Sequence, residues 1–186
     1  MPRYRRNYVA GGTYFFTCVA FERRPILTTE LGRDCLREAL KKVNADYPFD
    51  LLAIVLLPEH WHSVWTLPRG DDRFPLRWMR IKEEFSRLWL AGGGEEVPQS
   101  ASRVKHRERG IWQRRYWEHT VRDETDLKRC VDYIHWNPRR HNLVTRVRDW
   151  KWSSFHRFVR AGEYDADWGR SDPTPAWNEP EWGEAT

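Results

Sequence analysis

Leu56-Leu57-Pro58-Glu59-His60-Trp61-His62-Ser63-Val64-Trp65-Thr66 decides how this chain is read. An unbroken apolar run over residues 51–57 leads into it, and Pro58-Glu59 marks a tight turn. Residues 50–57 are therefore expected as a buried strand, with residues 60–67 returning beside it as a hairpin partner. Side chains two apart on a strand share a face. His60 and His62 would stand side by side, with Trp61 turned into packing on the opposite face. Two neutral imidazoles on one strand make two-thirds of a metal site. The same pair can equally be two partly buried histidines satisfied by hydrogen bonds.

The search for a third ligand leads to residues 123–138. Leu127, Cys130, Val131 and Ile134 recur at helical spacing and make a core face. Tyr133 and Asn137 lie one turn apart at the edge of that face. Pro138 disfavours helical geometry at Asn137 and is expected to end the helix there. If this helix packs across the sheet near the histidine strand, Asn137 can offer its amide oxygen as third ligand. Two imidazoles and an amide oxygen leave positions open for phosphate oxygens on Mg²⁺ or Mn²⁺. Tyr133 would then point its phenol at the same phosphorus, an arrangement suited to in-line transesterification. No carboxylate is placed clearly enough to name as general base.

The rest of the chain is aromatic and unevenly charged. It has 186 residues, 12 of them Trp, and a formal net charge of +5. Residues 161–186 hold seven acidic residues and one basic one, leaving 31 basic and 20 acidic residues in 1–160. One domain over 1–160 with an acidic, irregular tail over 161–186 follows, and a basic body suits a polyanion such as nucleic acid. Surplus Trp suggests exposed stacking platforms, although any single Trp is better read as packing. Cys18, Cys35 and Cys130 are scattered and form no Cys-x-x-Cys pair, which argues against a zinc ribbon or a disulfide scaffold. No apolar run approaches the ~18 residues of a membrane span, so a soluble, cytosolic protein is expected.

Several stretches offer contacts to a phosphate backbone. Arg3, Arg5 and Arg6 sit in a basic N-terminal arm that ends at Gly11-Gly12, before an aromatic strand over residues 13–20. A helix starts near Thr28-Thr29 and ends before Tyr47-Pro48. Pro75 suits the first turn of a second helix, on whose flank Arg73, Arg77, Arg80 and Arg87 fall within an arc of about 80°. That stripe reads as a phosphate rail, against the alternative of a solvated flank with local ion pairs. Residues 91–110 form an aperiodic basic loop. Arg114, Arg115, Tyr116 and Trp117 then mix cations with aromatics, the combination that holds unpaired bases, and His119 is a further candidate contact. His135 and His141 read as packing or surface residues.

Taken in order, these stretches resemble a family. Histidine-hydrophobe-histidine on a strand and a tyrosine on a helix are the marks of the HUH single-strand endonucleases. The Leu-Pro-Glu-His-Trp-His core, residues 111–122, Val131-Asp-Tyr-Ile-His-Trp-Asn-Pro138 and Asp149-Trp-Lys-Trp-Ser-Ser154 resemble, more narrowly, the REP-associated tyrosine transposases. The resemblance spans most of residues 4–160. It implies an α+β, ferredoxin-like antiparallel sheet with helices packed on it. It matches His60, His62 and Asn137 to the metal ligands and Tyr133 to the nucleophile. Asn137 stands where mobile relatives typically carry Gln. The resemblance further implies a monomer that cleaves and rejoins single-stranded DNA beside palindromic REP-type hairpins through a 5′-phosphotyrosine. A hairpin-binding module with weak or no cleavage is the competing reading.

Overall fold

The structure, a computed structural model, describes residues 6–101, 105 and 109–171. Arg3 and Arg5, part of the 91–110 loop and residues 172–186 lie outside the described residues. The chain runs β1 (Thr13–Val19), α1 (Glu30–Asp46), β2 (Asp50–Leu56), β3 (His60–Thr66), α2 (Phe74–Ala91), β4 (Trp117–Thr120), α3 (Glu124–Arg140) and α4 (Phe155–Arg160). The strands form one antiparallel sheet in the order β2-β3-β1-β4. This is the expected ferredoxin-like β-α-β-β-α-β connectivity, continued by a third long helix.

Both faces of the sheet are covered, which explains why its central strands read as nearly continuous apolar runs. Tyr14, Phe16 and Cys18 of β1 and Trp61 and Trp65 of β3 pack with residues of α1 and α2. Phe15 of β1, Val55 of β2 and Val64 of β3 pack with Cys130, Val131, Tyr133 and Ile134 of α3 on the other face. The register pairs Thr17 with His62 and Val19 with His60. Paired residues share a face, so both histidines look toward α3 while Trp61 and Trp65 stack around Trp78, at ring separations of 5.0 and 4.8 Å.

Local chemistry accounts for the element ends. Leu57 N–H donates to the His60 carbonyl across the Pro58-Glu59 turn, at 2.9 Å, closing the β2–β3 hairpin. Thr29 caps α1 by accepting from Gly32 N–H at 3.0 Å. Pro75 occupies the first turn of α2. The free edge of β2 is covered by the returning chain. Leu56 N–H donates to the Trp152 carbonyl at 2.9 Å and Ser154 N–H to the Ile54 carbonyl at 2.8 Å.

Three expectations need correction. The α3 helix does not stop at Asn137 but runs through Pro138 to Arg140. A proline in the last turn forfeits a single intrahelical donor, and His141 N–H still reaches the Asn137 carbonyl at 3.0 Å. Packing does not stop at residue 160. Tyr164 donates its hydroxyl to Asp132, Trp136 Nε1–H reaches the Gly169 carbonyl at 3.2 Å, and Tyr164 and Trp168 rings stack over α4. Residues 164–169 thus pack against α3 and α4. The Trp surplus is not a set of platforms, since no Trp among the described residues is exposed.

Two predictions follow from the packing. A Cβ at position 32 would lie 1.9 Å from the Ile26 carbonyl oxygen, so Gly32→Ala should destabilise the fold by roughly 1–3 kcal/mol in denaturant unfolding. His135 is fully buried, donates to or accepts from Ser154 Oγ at 2.8 Å, and is held by burial at a pKa of about 3. The unfolded chain would bind a proton there below about pH 6.5 and the folded chain would not. Stability should accordingly fall as pH drops from about 6.5 toward 3, and His135→Gln should flatten that slope in unfolding curves measured at pH 7 and pH 5.

Candidate functional site

On the α3 face of the sheet the two histidines are held from behind and open in front. His60 Nδ1 lies 3.0 Å from Glu59 Oε1, and His62 Nδ1 lies 2.9 Å from Thr17 Oγ1. A carboxylate only accepts, so His60 carries its proton on Nδ1 and presents the Nε2 lone pair. The Nε2 atoms of the two rings converge to 3.1 Å. Nitrogens in neighbouring positions of an octahedral ion are about 3 Å apart, given metal–ligand bonds of ~2.1 Å. Burial above all, then the charges of His60, His141 and Arg140, hold the His62 pKa well below the ordinary histidine range. His62 is thus neutral, the state in which imidazole binds a metal.

Across from them α3 packs over β2 and β3. Tyr133 is 1% exposed and its ring lies edge-on to His62 at 5.4 Å and to Phe15 at 5.8 Å. Asn137, one turn on, is fully buried, and among the described residues neither its Oδ1 nor its Nδ2 has a hydrogen-bond partner. An orphaned buried amide costs about 1–3 kcal/mol. A cation that takes up Oδ1 relieves that cost, so the His60, His62 and Asn137 donor set fits the metal that the sequence suggested.

A second cluster competes for a metal. His119, Asp126 and Cys130 bring ligand atoms within 4.8 Å of one another. There Asp126 Oδ2 already accepts from Arg122 N–H at 3.0 Å and Nε at 3.2 Å, and lies 2.8 Å from His119 Nε2. Burial pushes the Cys130 thiol up to about 12, and a neutral thiol is a poor ligand. This cluster is better described as the polar cap of α3's first turn.

The phosphate-contact candidates divide. Arg77 leaves the stripe: it is 1% exposed and its guanidinium donates to the Pro48 carbonyl at 2.7 Å and to Asp71 Oδ2 at 3.1 Å. Helical spacing fixed its azimuth but not what lay opposite. Arg73, Arg80 and Arg87 are exposed and paired with Asp71, Glu83 and Glu84. Pairs of this kind contribute about 0–1 kcal/mol and exchange readily for phosphate. Tyr116 is no open platform, because Trp78 stacks on its ring at 4.9 Å and the Arg6 guanidinium lies over it at 4.0 Å. Arg6 also pairs with buried Glu118. Trp117 and His119 stack on the α3 face of β4, and Arg114 and Arg115 are exposed beside it. Arg6, Arg80, Lys82, Arg87, Arg109 and Arg114 line a groove of about 1130 Å³ along α2.

Sequence reasoning missed four residues. Glu59 and Thr17 orient the histidines, and only the register could reveal Thr17. The His141 ring lies 5.2 Å from His60, and the Arg140 guanidinium lies 5.3 Å over the Tyr133 ring. Both follow Pro138, where the helix was expected to have ended.

Residues 8–137 match the family model described as Transposase IS200 like, a span that holds His60, His62, Tyr133 and Asn137. The chain is 44% identical over 169 residues to the REP-associated tyrosine transposase of Escherichia coli, covering 90% of this chain and 91% of that one. It also superposes with a TM-score of 0.77, at 41% identity, on a REP-associated tyrosine transposase solved bound to a REP hairpin, covering 96% and 99% of the two chains. The protein belongs to the IS200-like transposase family. No helix among the described residues is long and apolar enough to cross a membrane.

The orphaned amide yields a test of the donor set. Asn137→Leu fills the same space without polar atoms, so it should leave the metal-free fold as stable or more stable, by up to about 1–3 kcal/mol in thermal unfolding. It should also weaken Mn²⁺ binding by at least about tenfold in calorimetry. A clear loss of stability would mean that the amide has structural partners instead.

Proposed function

We propose that this protein is a metal-dependent single-strand DNA endonuclease and strand-joining transposase that acts beside palindromic, REP-type hairpins through Tyr133. The observation that carries the reading is the buried, unpartnered Asn137 amide, one helical turn from a tyrosine packed against one of two converging imidazoles. His60, His62 and Asn137 would hold Mg²⁺ or Mn²⁺. Such an ion supplies charge withdrawal from the phosphodiester oxygens. The Tyr133 phenol oxygen attacks phosphorus, the bond to the 3′ oxygen breaks, and a 5′-phosphotyrosine and a free 3′-OH result. Because that ester keeps the energy of the broken linkage, the same site can rejoin strands without a nucleotide cofactor.

The groove along α2 fits the hairpin stem, since six basic side chains and one acidic one, Glu83, line it. Exposed Arg114 and Arg115 and half-buried Trp117 and His119 on β4 then lie between that groove and the α3 face. They would lead the unpaired strand round the sheet edge to Tyr133. The relatives' hairpin ligand supports this substrate class. A monomer acting in the cytoplasm completes the reading.

One observation favours the alternative of a hairpin-binding module with little cleavage: Tyr133 is almost wholly buried. Incubation with a labelled single-stranded oligonucleotide carrying a REP-type hairpin and Mn²⁺ separates the two. A denaturant-resistant protein–DNA adduct is expected in wild type and should vanish in Tyr133→Phe with hairpin affinity retained. An adduct that survives Tyr133→Phe sinks the nucleophile assignment, and none in wild type across several hairpins favours the binding module.

A further inference from the structure

Arg140 follows Tyr133 by seven residues, two helical turns, and so returns to the same face of α3. Its guanidinium carbon lies 5.3 Å from the centroid of the Tyr133 ring. Tyr133 is 1% exposed while Arg140 is exposed, so the guanidinium lies on the solvent side of the tyrosine ring. Its charge also reaches His62, whose protonation it opposes.

The bland account of a basic residue here is the helix terminus, where cations offset the carbonyl dipoles. Arg139 and Arg140 both lie in that last turn, but their partners differ. Arg139 donates to the Gly169 carbonyl, whereas among the described residues no carboxylate or carbonyl is paired with Arg140, and its contact is the tyrosine ring. Exposed Arg73, Arg80 and Arg87, by contrast, all have carboxylate partners. A guanidinium without a carboxylate partner, whose charge acts on His62 and which lies over the Tyr133 ring, suits an anion presented to that tyrosine.

We propose, resting on the strand-cleaving reading above, that Arg140 is the residue that binds the scissile phosphate. Its planar fork takes the non-bridging oxygens of the phosphodiester presented to Tyr133, and then those of the phosphotyrosine. In the step it assists, the phenol oxygen bonds to phosphorus as the bond to the 3′ oxygen breaks. The phenol proton leaves to solvent and the 3′ oxygen takes one from solvent. The phosphate carries one negative charge before and after, and Arg140 stays paired with that charge throughout. The cation over the ring also favours the phenolate that attacks.

The test uses the full chain, Mn²⁺ and a single-stranded oligonucleotide with a REP-type hairpin, in two versions. One carries the natural linkage and the other an uncharged methylphosphonate at the position that wild type cleaves. On the natural substrate Arg140→Ala should slow adduct formation by on the order of 10²–10³-fold. Hairpin affinity should stay within about threefold, and the melting temperature should be little changed at this exposed position. Arg140→Lys should recover part of the loss, because it keeps the charge but not the fork. On the methylphosphonate the penalty of Arg140→Ala should shrink by at least about tenfold, because there is no phosphate charge left to pair. Equal penalties on both substrates, or a loss of hairpin binding that matches the loss of cleavage, overturn the proposal. So does an Arg140→Ala protein that cleaves like wild type. Absence of any adduct with wild type instead overturns the cleavage reading, and the role of Arg140 falls with it.

Discussion

The apolar stripe of α3 lies against the sheet at β2 and β3, and that contact decides what the histidines face. Val131 and Ile134 pack among Phe15, Val55 and Val64, an interaction with no polar chemistry in it. Its consequence is rotational. Each residue turns a helix by about 100°, so packing these side chains inward sets the azimuth of Tyr133 and Asn137 as well. A helix turned by one residue would bring Lys128 and Asp132 toward the sheet in place of Leu127 and Val131 and carry Tyr133 and Asn137 off the imidazoles. The core cluster, of which Tyr133 is itself a member, thus also acts as the positioning device for the candidate site.

How much of this was legible in the sequence depended on whether the deciding information was local. Strand periodicity and a Pro-Glu turn were enough to place His60 and His62 on one face, because a two-residue period leaves no freedom once the hairpin closes. Thr29 announced α1 for the same reason. Arg77 shows the limit. Its helical angle placed it within the stripe, but the Tyr47-Pro48 carbonyls and Asp71 that surround it come from a loop whose position no spacing reveals. Thr17, behind His62, became visible only through the register of β1 on β3.

The reading of Pro138 had a larger consequence than a misplaced boundary. Ending the helix at Asn137 removed residues 140 and 141 from the stripe that begins at Tyr133, although they stand seven and eight positions along it. In the interior of a helix the same proline would have been decisive. In the last turn the donor it lacks is a single one, and the Asn137 and Pro138 carbonyls are taken by His141 and Leu143 N–H at 3.0 and 2.9 Å. The helix therefore carries Arg140 and His141 as far as the histidines, one over the tyrosine ring and one against His60.

A contrast between the two ends of α3 explains why one is a site and the other a cap. At the first turn, Asp126 is surrounded by donors from Arg122, His119 and its own N–H toward Asp123. Its Oδ2 takes the Arg122 and His119 contacts and its charge is balanced by Arg122, while Oδ1 is left without a partner among the described residues. At the last turns the balance is reversed. An amide is buried without partners, an imidazole is held neutral by burial, and a guanidinium stands unpaired over a phenol. Of these only the buried amide carries a cost, about 1–3 kcal/mol, and a cation that took up its oxygen would lower it. The first turn of the helix is thus tied to its own chain by Asp123, Arg122 and His119, while the last turns present groups that a cation and an anion would suit.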